Sequence, residues 1–149
     1  AIQSLNMTES IPSSSCRRPS QFPRITIVSR LGTRRIKSVQ VLADKIQEMY
    51  NLTYKVPVAY FEDVSFRHQV AAMASTDILI TPHGAQETGI VFMPQCGGVL
   101  ELLPDEYFFP QFYGTLAASI GLDHAYLYLA KNDTHRIVNM VQRDVGFLY

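Results

Sequence analysis

Short apolar runs alternate with longer amphipathic runs along most of the chain, from residue 24 onward. The short runs are rich in β-branched residues and predict strands over residues 24–29, 54–60, 77–81, 99–103 and 125–129. The longer runs predict helices after the first strand and over residues 65–74, 87–92 and 108–120. Strands that alternate with helices are typical of βαβ units, so we predict an α/β fold, a Rossmann-like parallel sheet flanked by helices.

Prolines, glycines and local composition set the limits of this domain. Pro57 favours an edge position or a bend for the second strand, because proline cannot donate a ladder hydrogen bond, and Gly121 is expected to cap the fourth helix. Residues 1–23 are rich in Ser, Pro and Asn and have no apolar period, so they are interpreted as an irregular lead-in. Residues 24–149 are interpreted as one α/β domain, with a last helix over residues 134–149.

The bulk composition excludes several classes of function. The chain has 149 residues, 47% of them hydrophobic, and a net charge of zero, which fits one globular domain. It has no long run of Lys or Arg, so no nucleic-acid partner is expected, and no stretch of about 20 apolar residues that would span a bilayer. Because it begins without Met and without an apolar signal core, we expect a piece of a longer protein.

Two cysteines and three glycosylation sequons bear on the cellular compartment. Cys16 and Cys96 match no metal-binding or redox spacing, so they are interpreted as inert thiols, with a disulfide as the alternative in an oxidising compartment. The N-x-S/T triplets at Asn6, Asn51 and Asn132 permit glycosylation if the chain is luminal.

The first candidate site follows the first predicted strand. Ligands of open parallel sheets bind at the carboxyl ends of the strands, and here Arg30, Arg34 and Arg35 surround the turn Gly32-Thr33 at the predicted start of a helix. Exposed backbone N–H groups and three guanidinium groups favour a diphosphate there. The alternative is a solvated basic turn with one arginine paired to a nearby acid.

Two further strands carry candidate chemistry. The third ends at His83-Gly84-Ala85, where the small residues leave room for a ligand and His83 can donate to a phosphate or a sugar hydroxyl, or act as an acid or base. The fourth contains Glu101 in an otherwise apolar run. Glu101 either accepts ribose hydroxyls, or faces outward or pairs with an arginine of the first turn.

Other chemistry lacks its sequence signature. Neither G-x-G-x-x-G nor the P-loop pattern occurs, which removes the main support for a kinase, an ATPase or an ordinary dehydrogenase, and no G-x-S-x-G supports a hydrolase. No metal site is predicted, because the acidic pairs at 62–63 and 105–106 lie in predicted turns. Phe108, Phe109, Phe112 and Tyr113 can stack on a base, but their helical spacing favours a core role.

The segment over residues 74–104, ASTDILITPHGAQETGIVFMPQCGGVLELLP, resembles the hallmark region of glycosyltransferase family 61. That family includes O-linked N-acetylglucosaminyltransferases of the secretory pathway and plant xylosyltransferases. Its apolar strand runs into H-G-A, a helix ends at F-M-P or F-L-P, and a strand carries E-L. The turn over residues 30–36, R-L-G-T-R-R-I, is similar to the family's basic turn, so the resemblance covers residues 24–129.

The resemblance implies a GT-B enzyme of which this chain is the C-terminal, donor-binding half. It implies inverting transfer from a nucleotide sugar, most often a UDP-sugar, to a glycan or protein hydroxyl, with an N-terminal acceptor domain elsewhere in the full-length protein. We expect a location in the lumen of the endoplasmic reticulum or Golgi through an anchor outside this sequence, and no tightly bound cofactor; dependence on a divalent metal is left open. The predicted nucleotide-binding residues are Arg30, Gly32, Thr33, Arg34, Arg35, His83, Gly84, Ala85 and Glu101. Among them, His83 is also the candidate catalytic residue, and Glu101 is assigned to the ribose.

One departure from the family pattern leaves two functions open. Gly-Leu-Thr-Asn commonly follows H-G-A, whereas this chain has Gln86-Glu87-Thr88-Gly89, and Glu87 is expected to add a charge beside the donor site. The first function is sugar transfer, with the arginines stabilising the departing diphosphate and the general base here or on the missing half. The alternative is a nucleotide-binding or interaction module that kept the fold and lost transfer.

Overall fold

Strands and helices alternate along residues 23–129, the part of the chain that the computed structural model describes. The strands are β1 (Ile25–Ser29), β2 (Val58–Tyr60), β3 (Ile78–Pro82), β4 (Gly98–Pro104) and β5 (Asp123–Leu129). The helices are α1 (Val39–Met49), α2 (Phe66–Ala74), the 3-10 helix η1 (Ala85–Phe92) and α3 (Pro110–Ser119). The predicted lead-in up to residue 22, the last helix over 134–149 and the sequons at Asn6 and Asn132 lie outside the described residues.

All five strands are parallel, in the order β2-β1-β3-β4-β5. This confirms the predicted α/β fold and places β2, shortened to three residues after Pro57, at the edge of the sheet. The chain reverses its direction of winding between β1 and β3. In doubly wound sheets of this order, ligands bind outside the carboxyl ends of the strands at that reversal.

Two hydrophobic clusters cover the two faces of the sheet. On one face α1 packs Leu42 and Ile46 against Ile27 and Leu102. On the other face Met73 of α2, Ile90 of η1 and Ala117 of α3 pack around Val28, Leu79 and Val99. Because both faces are covered, β1 is buried at every position, as its β-branched run predicts.

The segment between β1 and α1 differs from the expected turn. Residues 30–38 form a loop, and α1 begins at Val39, so the predicted helix start after Thr33 is wrong. Arg34 and Ser38 adopt φ values of 59° and 53°, a left-handed conformation that a helix cannot continue through. The basic turn is therefore not aligned with the N-terminal dipole of a helix.

Several local expectations are settled by the structure. Pro110 occupies the first turn of α3, and Gly121, at φ 75°, follows its end as expected of a C-terminal glycine.

Cys96 is disulfide-bonded, so its interpretation as an inert thiol is wrong. None of the helices within residues 23–129 is long and apolar enough to cross a bilayer.

Candidate functional site

The two ends of the sheet differ in how completely their buried polar groups are paired. At the amino end, the Nε and Nη2 of Arg24 each donate to Asp77 at 2.9 Å. At the carboxyl end, Arg30 Nη1 and both carboxyl oxygens of Glu87 are buried without a hydrogen bond of ordinary geometry, and no other side-chain atom within residues 23–129 shares that condition. Buried polar groups are normally paired, so these exceptions place the candidate site at the carboxyl end.

A cavity of about 310 Å³ opens at the reversal between β1 and β3. Ser29 and Arg30 line it from the end of β1, Phe61 and Glu62 from the segment after β2, and Ala85 and Gln86 from the start of η1. Gly84 borders the same group of atoms: a Cβ there would lie 3.1 Å from Arg30 Nη1 and 3.0 Å from Gln86 Oε1. The backbone can therefore come close to the guanidinium only because residue 84 has no side chain.

The structure does not gather the three arginines at one point. Arg30 points into the sheet end, whereas the Arg34 guanidinium lies 5.1 Å from the ring centroid of Tyr107. Arg35, like Gly32 and Thr33, is exposed in the loop. Only Arg30 reaches the cavity, and the roles predicted for the other four residues of this loop stay predictions.

Glu101 lies at the centre of a buried chain of three side chains. It is fully buried on β4, level with Thr81 of β3 and Tyr126 of β5. One carboxylate oxygen bonds to His83 Nδ1 and the other to His124 Nε2 at 3.0 Å. The expectation that Glu101 faces outward or pairs with an arginine is thus wrong, while contact with a ribose stays a prediction.

The two imidazoles determine the charge of Glu101. Burial acts to raise the pKa of this carboxyl, but the hydrogen bonds from His124 and His83 outweigh it and lower its pKa. An ionised carboxylate only accepts hydrogen bonds, so both bonded ring nitrogens carry a hydrogen. His83 therefore donates its Nδ1–H to Glu101, which leaves Nε2 as the acceptor nitrogen of the neutral ring.

Aromatic side chains enclose His83 on its outer side. Its ring centroid lies 5.4 Å from that of Tyr113 and 6.1 Å from that of Tyr107, and Phe112 packs edge-on at 6.4 Å. Tyr113 is buried, as its helical spacing predicts, but Phe108, Phe109 and Phe112 are more than half exposed. The core role predicted for those three phenylalanines is wrong, and they form a surface beside the site.

Glu87 is fully buried in the first turn of η1. Burial, followed by the charge of Glu101, raises the pKa of Glu87 to about 10. A raised pKa favours the neutral form of this carboxyl, while the charge expected beside the donor site stays a prediction. Ligand atoms of His83, Glu87 and Glu101 lie within 4.8 Å of one another, so one proton or one small cation can relieve the repulsion between the two carboxyls.

His124 is the site residue that the sequence did not reveal. On β5 it pairs with Val99 of β4, and Tyr126, two residues further along β5, pairs with Glu101. Residues two apart on a strand point to the same face, so His124 and Glu101 share one face of the sheet. Gly114 of α3 makes room for it, because a Cβ there would lie 3.2 Å from His124 Nδ1. A hydrophobic pattern cannot show this, because it gives strands without their register.

Comparison with known proteins identifies the family to which this chain belongs. The family described as Glycosyltransferase 61 matches residues 2–100. The chain is 29% identical over 120 residues to the beta-1,2-xylosyltransferase XAX1 of Oryza sativa subsp. japonica, covering 78% of this chain and 20% of that protein. It is 30% identical over 126 residues to protein O-linked-mannose beta-1,4-N-acetylglucosaminyltransferase 2 of Mus musculus, covering 81% and 21% respectively. The chain thus spans about a fifth of the length of these relatives.

Proposed function

The chain belongs to glycosyltransferase family 61, and from this premise we propose that it is the donor-binding domain of a sugar-transferring enzyme. The proposed donor is a nucleotide sugar, with UDP as the nucleotide, and the proposed acceptor is a hydroxyl of a glycan or a protein. One observation carries the proposal: the buried Arg30 Nη1, without a partner among the described residues, at the cavity where β1 and β3 end.

Arg30 is suited to hold the donor diphosphate. A guanidinium stays protonated in proteins, so it cannot relieve its burial by losing a proton and needs an anion instead. Phosphate oxygens match its fork of donors, and the cavity of about 310 Å³ gives the ligand space at the position where doubly wound sheets bind nucleotides. Gly84 keeps this approach open.

His83 is proposed to face the donor from the other side of the same loop. Glu101 holds Nδ1, so the free Nε2 can contact the diphosphate or the sugar. In the proposed inverting step an acceptor hydroxyl oxygen bonds to the anomeric carbon, the bond from that carbon to the diphosphate breaks, and a base takes the hydroxyl proton. Arg30 stabilises the negative charge of the departing diphosphate.

Two features support a secretory location for the full-length protein. Cys96 is disulfide-bonded, and disulfides persist in oxidising compartments. Asn51 of the one sequon within the described residues is exposed, so a glycan can be attached there. We therefore propose the lumen of the endoplasmic reticulum or Golgi, with an anchor and an N-terminal acceptor domain elsewhere in the protein.

Calorimetric titration of the chain with UDP and with GDP at fixed ionic strength tests the donor site. We expect saturable UDP binding that Arg30→Ala weakens at least about tenfold, a difference of roughly 1.4 kcal/mol. The matched control is Arg35→Ala, because Arg35 is an exposed arginine of the same loop. Equal losses in both variants, or no nucleotide binding by the folded chain, would contradict the assignment; binding without sugar transfer by the full-length protein would favour the non-catalytic module.

A further inference from the structure

Glu87 is a buried acid to which the proposed chemistry gives no role. Its side chain is fully buried, and neither carboxyl oxygen makes a hydrogen bond of ordinary geometry with a described residue. An ionised carboxylate in such a place would lack the compensation that burial of a charge requires. The geometry therefore calls for either a proton on Glu87 or a cation beside it.

The neighbouring Glu101 is arranged to receive a proton donor. Its two oxygens accept one hydrogen bond each from His83 and His124, and a carboxylate has about four acceptor sites, so it can accept another. The ligand atoms of Glu87 and Glu101 lie within 4.8 Å of each other, and a hydrogen bond between the two carboxyls forms if one of them is protonated. Two adjacent carboxyls in a buried site do not both ionise.

We propose that Glu87 is a positioning residue held as a neutral carboxylic acid, whose O–H donates to the Glu101 carboxylate. Glu101 then accepts hydrogen bonds from three sides and fixes His83 with Nδ1 inward and Nε2 toward the donor. The function of this arrangement rests on the proposed donor site, whereas the proton on Glu87 can be detected without any ligand.

The titratable groups of the helices packed against η1 are Tyr113 of α3 and Arg67 and His68 of α2. Tyr113 of α3 has its pKa raised, first by burial and further by the two carboxyls, with opposing effects from Thr88 and Arg34. The helix α2 packs on η1, but its Arg67 and His68 are exposed. Within residues 23–129, the helices packed against η1 carry no other charged or titratable group. The remaining groups of this kind near Glu87 are His83, His124 and Arg30 at the end of the sheet.

Carboxyl-carbon NMR of the chain with isotope-labelled glutamate tests the protonation directly. The sequence contains six glutamates, so their signals can be followed separately through a pH titration. We expect one signal, absent from Glu87→Gln, to keep the position of a protonated acid from pH 5 to pH 8 while exposed glutamates ionise near their usual pKa of about 4.3. If every glutamate ionises below pH 7, the proposal is overturned, and this result needs no variant that folds.

Two variants of the same residue test the positioning role. Glu87→Gln keeps a neutral donor to Glu101 and is expected to retain the UDP affinity of the unmodified chain within about twofold. Glu87→Leu is neutral but cannot donate, so its UDP affinity should fall about fivefold, which corresponds to one lost hydrogen bond. Equal weakening by both variants would show that an ionised Glu87 is needed.

Addition of Mn²⁺ or Zn²⁺ to the same NMR samples distinguishes a proton from a cation. Saturable movement of the Glu87 signal with Zn²⁺, or its saturable broadening with the paramagnetic Mn²⁺, would overturn the proposal, since the metal would then occupy the place of the proton. No such movement is expected. If the chain binds no UDP, the proposed function fails, while the NMR titration still decides the charge of Glu87.

Discussion

Arg30 and Glu87 both lie near the loop that carries His83 and Gly84, and Arg30 Nη1 and the Glu87 carboxyl oxygens are buried without ordinary hydrogen-bond partners among the described residues. The two residues differ in how each can compensate for burial without a hydrogen bond. A guanidinium cannot give up its proton, so Arg30 Nη1 needs an acceptor, which we propose is the donor diphosphate. A carboxyl can take up a proton, so Glu87 becomes neutral and requires no ligand. An unpaired buried group therefore indicates a ligand site only when it cannot neutralise itself.

The surroundings of the two residues differ in the same way, because Arg30 lies at a cavity and Glu87 is fully buried. Arg30 lines a cavity of about 310 Å³ together with Glu62 and Gln86, which gives space for a ligand. Glu87 lies among the buried side chains of Glu101 and Tyr113, where no exposed path to the carboxyl exists. The first region is suited to binding, and the second to holding His83 in one orientation.

The largest expected effect is on the pH dependence of stability. The pKa of Glu87 is raised to about 10 from an ordinary value of 4.5, so its contribution is complete below the unfolded value and is lost as pH rises toward 10. We expect the free energy of unfolding to fall by up to about 1.4 kcal/mol per pH unit between pH 5 and pH 9.

Urea unfolding at several pH values, with Glu87→Gln as the reference, measures this slope. The difference between the two proteins isolates Glu87, because every other titratable group is present in both. The lowered pKa of Glu101 adds no slope in this window, because its contribution is complete above the unfolded value and is lost only in acid. Identical slopes in the two proteins would mean that Glu87 is ionised when folded, and the comparison with Arg30 would fail.

The next effect concerns the centre of the buried chain. Glu101→Ala leaves two imidazole N–H groups without their acceptor, and breaking a buried hydrogen-bonded charge in this way costs roughly 3–5 kcal/mol of stability. Glu48→Ala is the control, because Glu48 is an exposed glutamate of α1, where the same change should stay within about 0.5 kcal/mol. A loss below 1 kcal/mol in Glu101→Ala would show that the histidines do not depend on it.

The central strands of this fold could be predicted from the sequence because they are short apolar runs whose residues are mostly buried. β1 differs from its predicted start by one residue, and β4 extends one residue beyond each predicted end. The edge position of β2 followed from Pro57 alone. In these places a local physical rule, burial or a missing hydrogen-bond donor, decides the structure.

The site was less predictable because its contacts depend on register and on loop conformation. His83 and Glu101 were recognised from their strand ends, but their bond to each other and to His124 requires the alignment of three strands. The expected cluster of arginines failed because positive φ values at Arg34 and Ser38 keep the loop from joining α1. The local propensity of a segment gives neither the register of neighbouring strands nor the conformation of a loop.

A smaller effect should follow from a methyl group placed between the two regions. In Gly84→Ala the new Cβ would lie 3.1 Å from Arg30 Nη1, so the guanidinium must shift away from the cavity. We expect UDP affinity to fall about tenfold, or roughly 1.4 kcal/mol, with little change in stability because the backbone at Gly84 is extended. Gly98→Ala is the control, since its Cβ would meet no atom within 4 Å. Unchanged affinity in Gly84→Ala would separate Arg30 from the nucleotide.

The smallest effect distinguishes Arg34 from Arg30. The Arg34 guanidinium lies over the Tyr107 ring at 5.1 Å, a cation–π contact worth about 0.5–1 kcal/mol at an exposed site. Arg34→Lys keeps the charge but loses the planar stack, so we expect a stability loss of that size in urea unfolding and no change in UDP affinity. Arg30→Lys should do the reverse, because the cavity requires a fork of donors rather than a point charge. If Arg34→Lys weakens UDP binding as much as Arg30→Lys, the diphosphate reaches across the loop to both arginines, and binding would then extend from the cavity to the aromatic surface around His83.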